Sequence, residues 1–370
     1  MPTRTLPSAC PLDCPDTCSL NVEVTDGHIT RIEASNLNPT TQGFICTKVS
    51  RFAQRVYSKE RLLYPMKRRG KKGTGEFERI SWQEATDTIC AKFREIKEQW
   101  GGEAILPYSY GGSNGLLGQD TSDRAFFAKL GALRLARTVC AAPTTEAALG
   151  MYGKMPGTAF EDYEHARFIL IWGGNPKSSN IHLVPYLKKA KDAGAKITVV
   201  DPRLNFSPNE IDLHLPVYPG TDLVVALAMI QTWDKNNLLN WDFIQQNTKG
   251  VETLLQAAES YTIAKAAKIA RVNPHHIEKL AEWYALHDPA ALRVGWGLER
   301  NRNGGQAVAA ILALPAVLGK FGLRGSGYTL SNSGAYKVDS RGLAEAPSWN
   351  TRIINMNKLG KVLLKENHPP

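Results

Sequence analysis

The sequence predicts an α/β protein in three parts: a small β-rich N-terminal domain built around cysteines, a mixed α/β domain, and a doubly wound parallel-sheet (Rossmann-like) domain. Three observations predict it. Cys10, Cys14, Cys18 and Cys46 crowd the first fifty residues, in loops punctuated by glycine and proline. Beyond them, short apolar runs alternate with segments of helical period, the β-loop-α order of a parallel sheet. Glycine- or proline-bearing turns close several of those runs: Gly173-Gly174-Asn175-Pro176, Asp201-Pro202-Arg203 and Pro219-Gly220-Thr221-Asp222.

The N-terminal part is justified by its thiols. Cys10, Cys14 and Cys18 recur at four-residue steps, and Cys46 arrives after a strand-rich excursion. Three thiolates on one short loop can cup one face of a cubane, and the distant fourth closes the other, which is the ligand set of a [4Fe–4S] cluster. The alternatives are a zinc site, which more often uses two C-x₂-C pairs, and disulfides. Six cysteines are too few for a disulfide scaffold in 370 residues.

After Cys46, Val49 to Tyr57 has helical character, and Lys67-Arg-Arg-Gly-Lys-Lys-Gly73 forms a solvated hairpin tip closed by Phe77 to Ile80. Ser81 and Glu84 make a capping box for a helix carrying Trp82, Ala85, Ile89, Phe93, Ile96 and Trp100 on one stripe, with Cys90 flanking it as a buried core thiol. Ala104 to Tyr110 is expected as an apolar strand followed by the Gly111–Gly115 turn, then a helix around Asp123 to Leu130. Strands follow at Arg167–Trp172, Lys196–Val200, Leu213–Val217 and Leu292–Gly297. Helices are expected at Leu183–Ala193 and Leu223–Trp233, from Asn273-Pro274, and after Gln306 to Leu318.

Bulk properties limit function. A net charge of +10 and a pI near 9.2 favour anionic partners: nucleic acid, a membrane surface or a phosphate-bearing cofactor. The basic run lacks interleaved aromatics, so nucleic-acid binding is not expected. The longest apolar run, Ala307 to Leu318, is too short to span a bilayer and contains Pro315. The N-terminus shows neither an apolar secretory core nor twin arginines, so a cytoplasmic protein with reduced thiols is expected.

In an open parallel sheet, ligands bind at the carboxyl ends of the strands. The three turns named above leave those ends. Glycines there admit a pyrophosphate to the backbone, and N–H groups opening the next helix attract it. Asp201 is placed to accept from ribose hydroxyls, and Asp222 from the N–H edge of a purine, guanine in particular. The G-x-G-x-x-G fingerprint is absent, which disfavours NAD. Each loop taken alone is ordinary turn chemistry; together, on consecutive strands, they point to a nucleotide site.

A cysteine-rich N-terminus followed by Trp172-Gly-Gly-Asn-Pro176, Val200-Asp-Pro-Arg203 and Pro219-Gly-Thr-Asp222 resembles the molybdopterin oxidoreductase superfamily. That group holds the formate dehydrogenases, nitrate, polysulfide and thiosulfate reductases and dimethyl sulfoxide reductase. Cys46-Thr-Lys48, Ile80-Ser-Trp82 and Cys140-Ala-Ala-Pro143 match as well. The resemblance implies a 4Fe–4S cluster and molybdopterin guanine dinucleotide on molybdenum or tungsten. It makes Cys10, Cys14, Cys18 and Cys46 the cluster ligands and Lys48 a relay between cluster and pterin. Gly173, Gly174, Asn175, Asp201, Arg203, Gly220 and Asp222 would hold one nucleotide, and the loops at Gly297–Gln306 and Asn332–Gly334 would lie nearer the pterins. Cys140 takes the place of the protein ligand to the metal, where a soft thiolate suits a metal held by dithiolenes. Family members acting on formate carry His next; here it is Ala141, and Thr138-Val-Cys140 fits sulfur oxyanion or polysulfide reduction about as well.

The implied domains are 1–60 for iron–sulfur, 61–140 with 292–370 for the middle α/β domain, and 141–291 for the nucleotide. Family chains continue further, so a fragment, a truncated frame or half of a split enzyme is expected, with a second chain possible as partner. Two functions follow. One is a redox catalytic subunit with an electron-transfer partner protein and a small-molecule substrate; the other is a non-catalytic cluster- and cofactor-binding module.

Overall fold

The structure, a computed structural model, describes residues 2–111, 120–155, 157–331 and 347–365. Gly112 to Gly115 and the Asn332–Gly334 loop therefore lie outside the described residues. The chain forms two compact units: Met1–Asp13, Thr17–Thr138 and Val338–Pro370 in the first, Cys14–Asp16 with Val139–Lys337 in the second.

In the first unit, β1 (Arg4–Ala9), β2 (Ser19–Thr25) and β3 (His28–Ala34) form an antiparallel meander. Asp26 and Gly27 join β2 to β3 with φ of 50° and 78°, the paired left-handed residues of a tight hairpin. Helical turns Thr47–Ser50 and Phe52–Val56 follow, interrupted at Arg51. The basic run caps the exposed hairpin of β4 (Met66–Arg68) and β5 (Phe77–Arg79), as its sequence predicts. Ser81 Oγ accepts from Glu84 N at 3.0 Å and starts the helix Trp82–Trp100.

Two expectations fail in this unit. The stripe of Trp82–Trp100 stays open among the described residues, with Trp82 68% and Trp100 57% exposed, so Cys90 is partly exposed instead of a buried core thiol. The run 104–110 is not a strand. Leu133 N donates to Ile105 O at 2.9 Å, but Pro107 has no N–H to continue a ladder. The strand here is instead β6 (Arg134–Ala136), paired in parallel with Ile353–Asn355.

The second unit is built on β7 (Phe168–Trp172), β8 (Lys196–Val200), β9 (Leu213–Leu215), β10 (Ala290–Val294) and β11 (Gly327–Thr329), all parallel, in the spatial order β11-β10-β7-β8-β9. β7 and β10 are buried throughout, as central strands covered on both faces must be. Phe168, Leu170 and Trp172 pack with Leu292 and with helices Asp222–Lys235, Pro274–Leu286 and Gly304–Val317. Ile169, Ile171, Ile197 and Val199 pack on the opposite face with helix Val184–Asp192. The sheet is thus doubly wound. Its last central strand begins two residues earlier than expected and ends before Gly295, because the chain turns there. Residues 292–329, expected with the middle domain, supply strands to this sheet.

Candidate functional site

Connections from β7 and β10 run to opposite faces of the sheet, which makes the gap between their carboxyl ends the topological switch point. The two loops meet there through backbone. Gly295 N donates to Trp172 O at 2.8 Å, Gly297 N to Gly173 O at 3.2 Å, and Gly173 N to Val200 O at 2.8 Å. A Cβ at residue 295 would lie 2.1 Å from Gly173 O and 2.4 Å from Gly174 Cα, so only glycine permits this crossing. Just beyond, the side-chain oxygen of Asn175 is buried with no hydrogen-bond partner among the described residues. An orphaned acceptor at a glycine crossing is a place for a ligand's donor.

The neighbouring loops extend the site. At the end of β8, Asp201 Oδ1 accepts from Arg203 N at 2.8 Å, while the Arg203 side chain is exposed. Gly220, at φ 86°, sits so close to Asn301 that a Cβ would be 3.3 Å from Asn301 Oδ1, and Asn303 Nδ2 donates to Gly220 O at 3.1 Å. Asp222, at the start of its helix, is buried and accepts from Trp172 Nε1 at 2.8 Å. Burial pushes its carboxyl above the ordinary value, and the indole hydrogen bond offsets this only in part. One oxygen of the purine-reading candidate is therefore already engaged by the protein.

Cys140 precedes the helix Ala142–Tyr152 with φ 44°, a left-handed conformation uncommon for a residue with a side chain. Such backbone costs on the order of 1–3 kcal/mol and clusters at functional sites. Arg300 Nη2 lies 3.8 Å from Cys140 Sγ and 4.0 Å from Glu299 Oε1. The Glu299 side chain is fully buried, and both its oxygens lack hydrogen-bond partners among the described residues, as does the Thr144 hydroxyl. Burial pushes the Glu299 carboxyl up.

Of the predicted thiols, Cys10, Cys18 and Cys46 in the first unit share a small apolar cluster with Leu20 and Val49, and Cys10 N donates to Cys18 O at 2.9 Å. Lys48 is exposed on the turn for which Cys46 is the N-cap. Cys14 belongs to the second unit, where its Sγ lies 3.2 Å from Ser179 O. None of the six cysteines is in a disulfide. In the second unit, Asp16 is buried against His182 and Asn180. Burial pushes its carboxyl up, but the His182 ring and the Asn180 amide outweigh that and hold it below the ordinary value.

The structure thus brings Gly173, Gly174, Asn175, Gly220, Asp222 and Gly297 together, with Asp201 on the adjoining strand end. Asn332 lies outside the described residues. Sequence reasoning missed the Trp172–Asp222 bond, Arg300 and Glu299, and the partners of Asp16. Glu299 and Arg300 fall within the Gly297–Gln306 loop that the sequence points to as a whole; Trp172 opens the Trp172-Gly-Gly-Asn-Pro176 motif, but nothing in that motif announces its bond to Asp222.

Comparison with known proteins bears on the family and the fold. A family model described as molybdopterin oxidoreductase matches residues 61–363, and one described as the molybdopterin oxidoreductase Fe4S4 domain matches residues 3–58. The chain is 36% identical over 366 residues to a probable oxidoreductase, YoaE, of Bacillus subtilis (strain 168), covering 98% of this chain and 54% of that protein. It is 30% identical over 371 residues to the dimethyl sulfoxide reductase DmsA of Haemophilus influenzae, covering 90% of this chain and 46% of that one. Among solved structures, acetylene hydratase from Pelobacter acetylenicus superposes with a TM-score of 0.69 at 27% identity, covering 86% of this chain and 44% of that chain. The chain spans about half the length of the curated relatives it matches.

Proposed function

Because the chain belongs to the molybdopterin oxidoreductase family, whose cofactors are a molybdopterin and a 4Fe–4S cluster, we propose that it forms the cluster- and nucleotide-holding part of a redox catalytic subunit. The observation that carries this is the glycine-only crossing of the β7 and β10 loops, flanked by the orphaned Asn175 oxygen. The side-chain-free crossing fits a dinucleotide whose phosphates need close backbone approach, and the Asn175 oxygen offers an acceptor to a donor of the same ligand. The undisulfided thiols fit a soft-metal cluster.

In this reading Cys10, Cys14, Cys18 and Cys46 ligate the cluster, and Gly173, Gly174, Asn175, Gly220 and Gly297 cradle one guanine dinucleotide. Asp222, oriented by Trp172, offers its second oxygen to the purine, and Asp201 with Arg203 faces the ribose and phosphates. Cys140, presented by its left-handed turn beside Arg300, is the thiolate ligand to molybdenum or tungsten. Lys48 keeps a cation next to Cys46 on the electron path. When bound, the metal supplies two-electron redox chemistry, and the cluster passes electrons singly. Arg300 holds positive charge at the reacting end, and Glu299 keeps a buried carboxyl one residue away, available to hold a proton.

A small-molecule substrate and an electron-transfer partner protein complete the proposal, in a cytoplasmic setting that keeps the thiols reduced. No described helix is long and apolar enough to cross a membrane. The test is dye-linked turnover by the anaerobically produced protein, offered sulfoxide, nitrate, polysulfide, thiosulfate and formate. Turnover of one of these, obtained only when a second chain supplies the rest of the catalytic subunit and abolished there by Cys140→Ala with iron retained, is the expected result. Turnover that survives Cys140→Ala would remove that residue from the metal.

A further inference from the structure

The segment Cys14–Asp16 is anchored to the parallel sheet by a chain of buried polar groups. Asp16 Oδ1 accepts from Asn180 Nδ2 at 2.5 Å, and Asp16 Oδ2 accepts from His182 N at 3.3 Å, with His182 Nδ1 at 3.0 Å. Asn180 Oδ1 in turn accepts from Arg293 Nε at 2.9 Å. The orientation of the Asn180 amide is forced: arginine can only donate, and an ionised carboxylate can only accept. Arg293 sits on β10, 5% exposed, and its Nη1 also donates to the carbonyl of Val294 and to those of Leu330 and Thr329, at 3.1 and 3.4 Å. Asp16 is 1% exposed and Asn180 also 1%.

A guanidinium stays charged in a protein interior, and placing it there without water costs several kcal/mol unless its hydrogen bonds are made. Here Nε and Nη1 are served by a neutral amide and by backbone carbonyls. Asp16 is separated from it by the Asn180 side chain, which bonds both. The two charges are therefore kept apart, on opposite sides of one amide, in a low-dielectric interior where charge acts over a longer range than in water. Both lie in the unit that holds Cys14, and Asp16 follows it by two residues.

We propose that Arg293 and Asp16, linked through Asn180, are positioning residues that fix the Cys14 segment and set the reduction potential of the iron–sulfur centre by their opposite charges. This rests on Cys14 being a cluster ligand. A reduced cluster carries one more negative charge than an oxidised one, so a nearby buried cation favours reduction and a buried anion opposes it.

The test is a potentiometric titration of the anaerobically purified full chain, followed by electron paramagnetic resonance of the reduced cluster, with iron quantified in each sample. Arg293→Met is expected to lower the midpoint potential and Asp16→Asn to raise it, while Arg293→Lys stays near wild type. A merely structural anchor gives no such opposition of sign. Unchanged potentials at full iron would overturn the proposal. Loss of iron in both neutral variants would overturn its electrostatic part in favour of a purely mechanical tether. Wild-type protein that binds no iron fails the parent reading instead, and the two failures are thereby distinct.

Discussion

Trp172 Nε1 donates to Asp222 Oδ1 at 2.8 Å, linking the last residue of the central strand β7 to the first residue of the helix that follows β9. Both side chains are buried. The bond crosses under the loops that leave β7 and β9, so it fixes the carboxylate before any ligand arrives. Trp172→Phe keeps an aromatic ring, smaller than the indole, and removes the donor, so a cavity adds to the lost hydrogen bond. It is expected to cost at least the roughly 1–3 kcal/mol of stranding a buried polar group, measured by urea unfolding. The same variant is expected to retain less bound nucleotide than wild type, whereas an exposed-site control such as Trp100→Phe is not.

Gly295→Ala tests the crossing itself. With 2.1 Å between its Cβ and Gly173 O, backbone on one side or the other must move. Overpacking of this kind typically costs about 1–3 kcal/mol. The expected outcome is a lower unfolding midpoint together with loss of nucleotide. Wild-type stability and retention would mean that the loops are not held as close as described.

Cys140 carries its own prediction, since its φ of 44° suits glycine better than cysteine. Cys140→Gly is expected to be more stable than Cys140→Ala by about 1 kcal/mol, because only glycine escapes the left-handed penalty. Both should be inactive while keeping iron. Equal stability of the two, read from thermal melts, would remove the case for a strained ligand turn.

Glu299 gives a pH dependence of known sign. Burial raises its folded-state value, so its contribution is fully present below the ordinary carboxylate range and is lost as pH rises through the raised value. Glu299→Gln is therefore expected to gain on wild type in thermal stability as pH increases from about 4 to neutrality. A constant offset between the two proteins across that range would show that the carboxyl does not titrate with folding.

The sheet was legible because its strands are unbroken apolar runs ended by glycine or proline turns; β8 matches its expected span residue for residue, Lys196–Val200. The glycine- and proline-bearing turns at the strand ends were legible for the same reason. Partners brought in from far along the chain were not: nothing local to Trp172 announces Asp222, fifty residues on. Nor does anything in Cys14–Cys18 announce that Asp16 meets Asn180, His182 and, through Asn180, Arg293. The expected strand at 104–110 shows the opposite error, an apolar run without a ladder partner, interrupted by Pro107.

The most direct measurement is the cofactor content of the anaerobically purified chain: iron, zinc and molybdenum by elemental analysis, and the base of any nucleotide released by acid. About four irons per chain, as a cubane requires, with a guanine nucleotide that Asp222→Ala fails to retain and iron that Cys14→Ser but not Cys90→Ser lowers, is the expected result. Stoichiometric zinc without iron, or bound NAD in place of a guanine nucleotide, would contradict it.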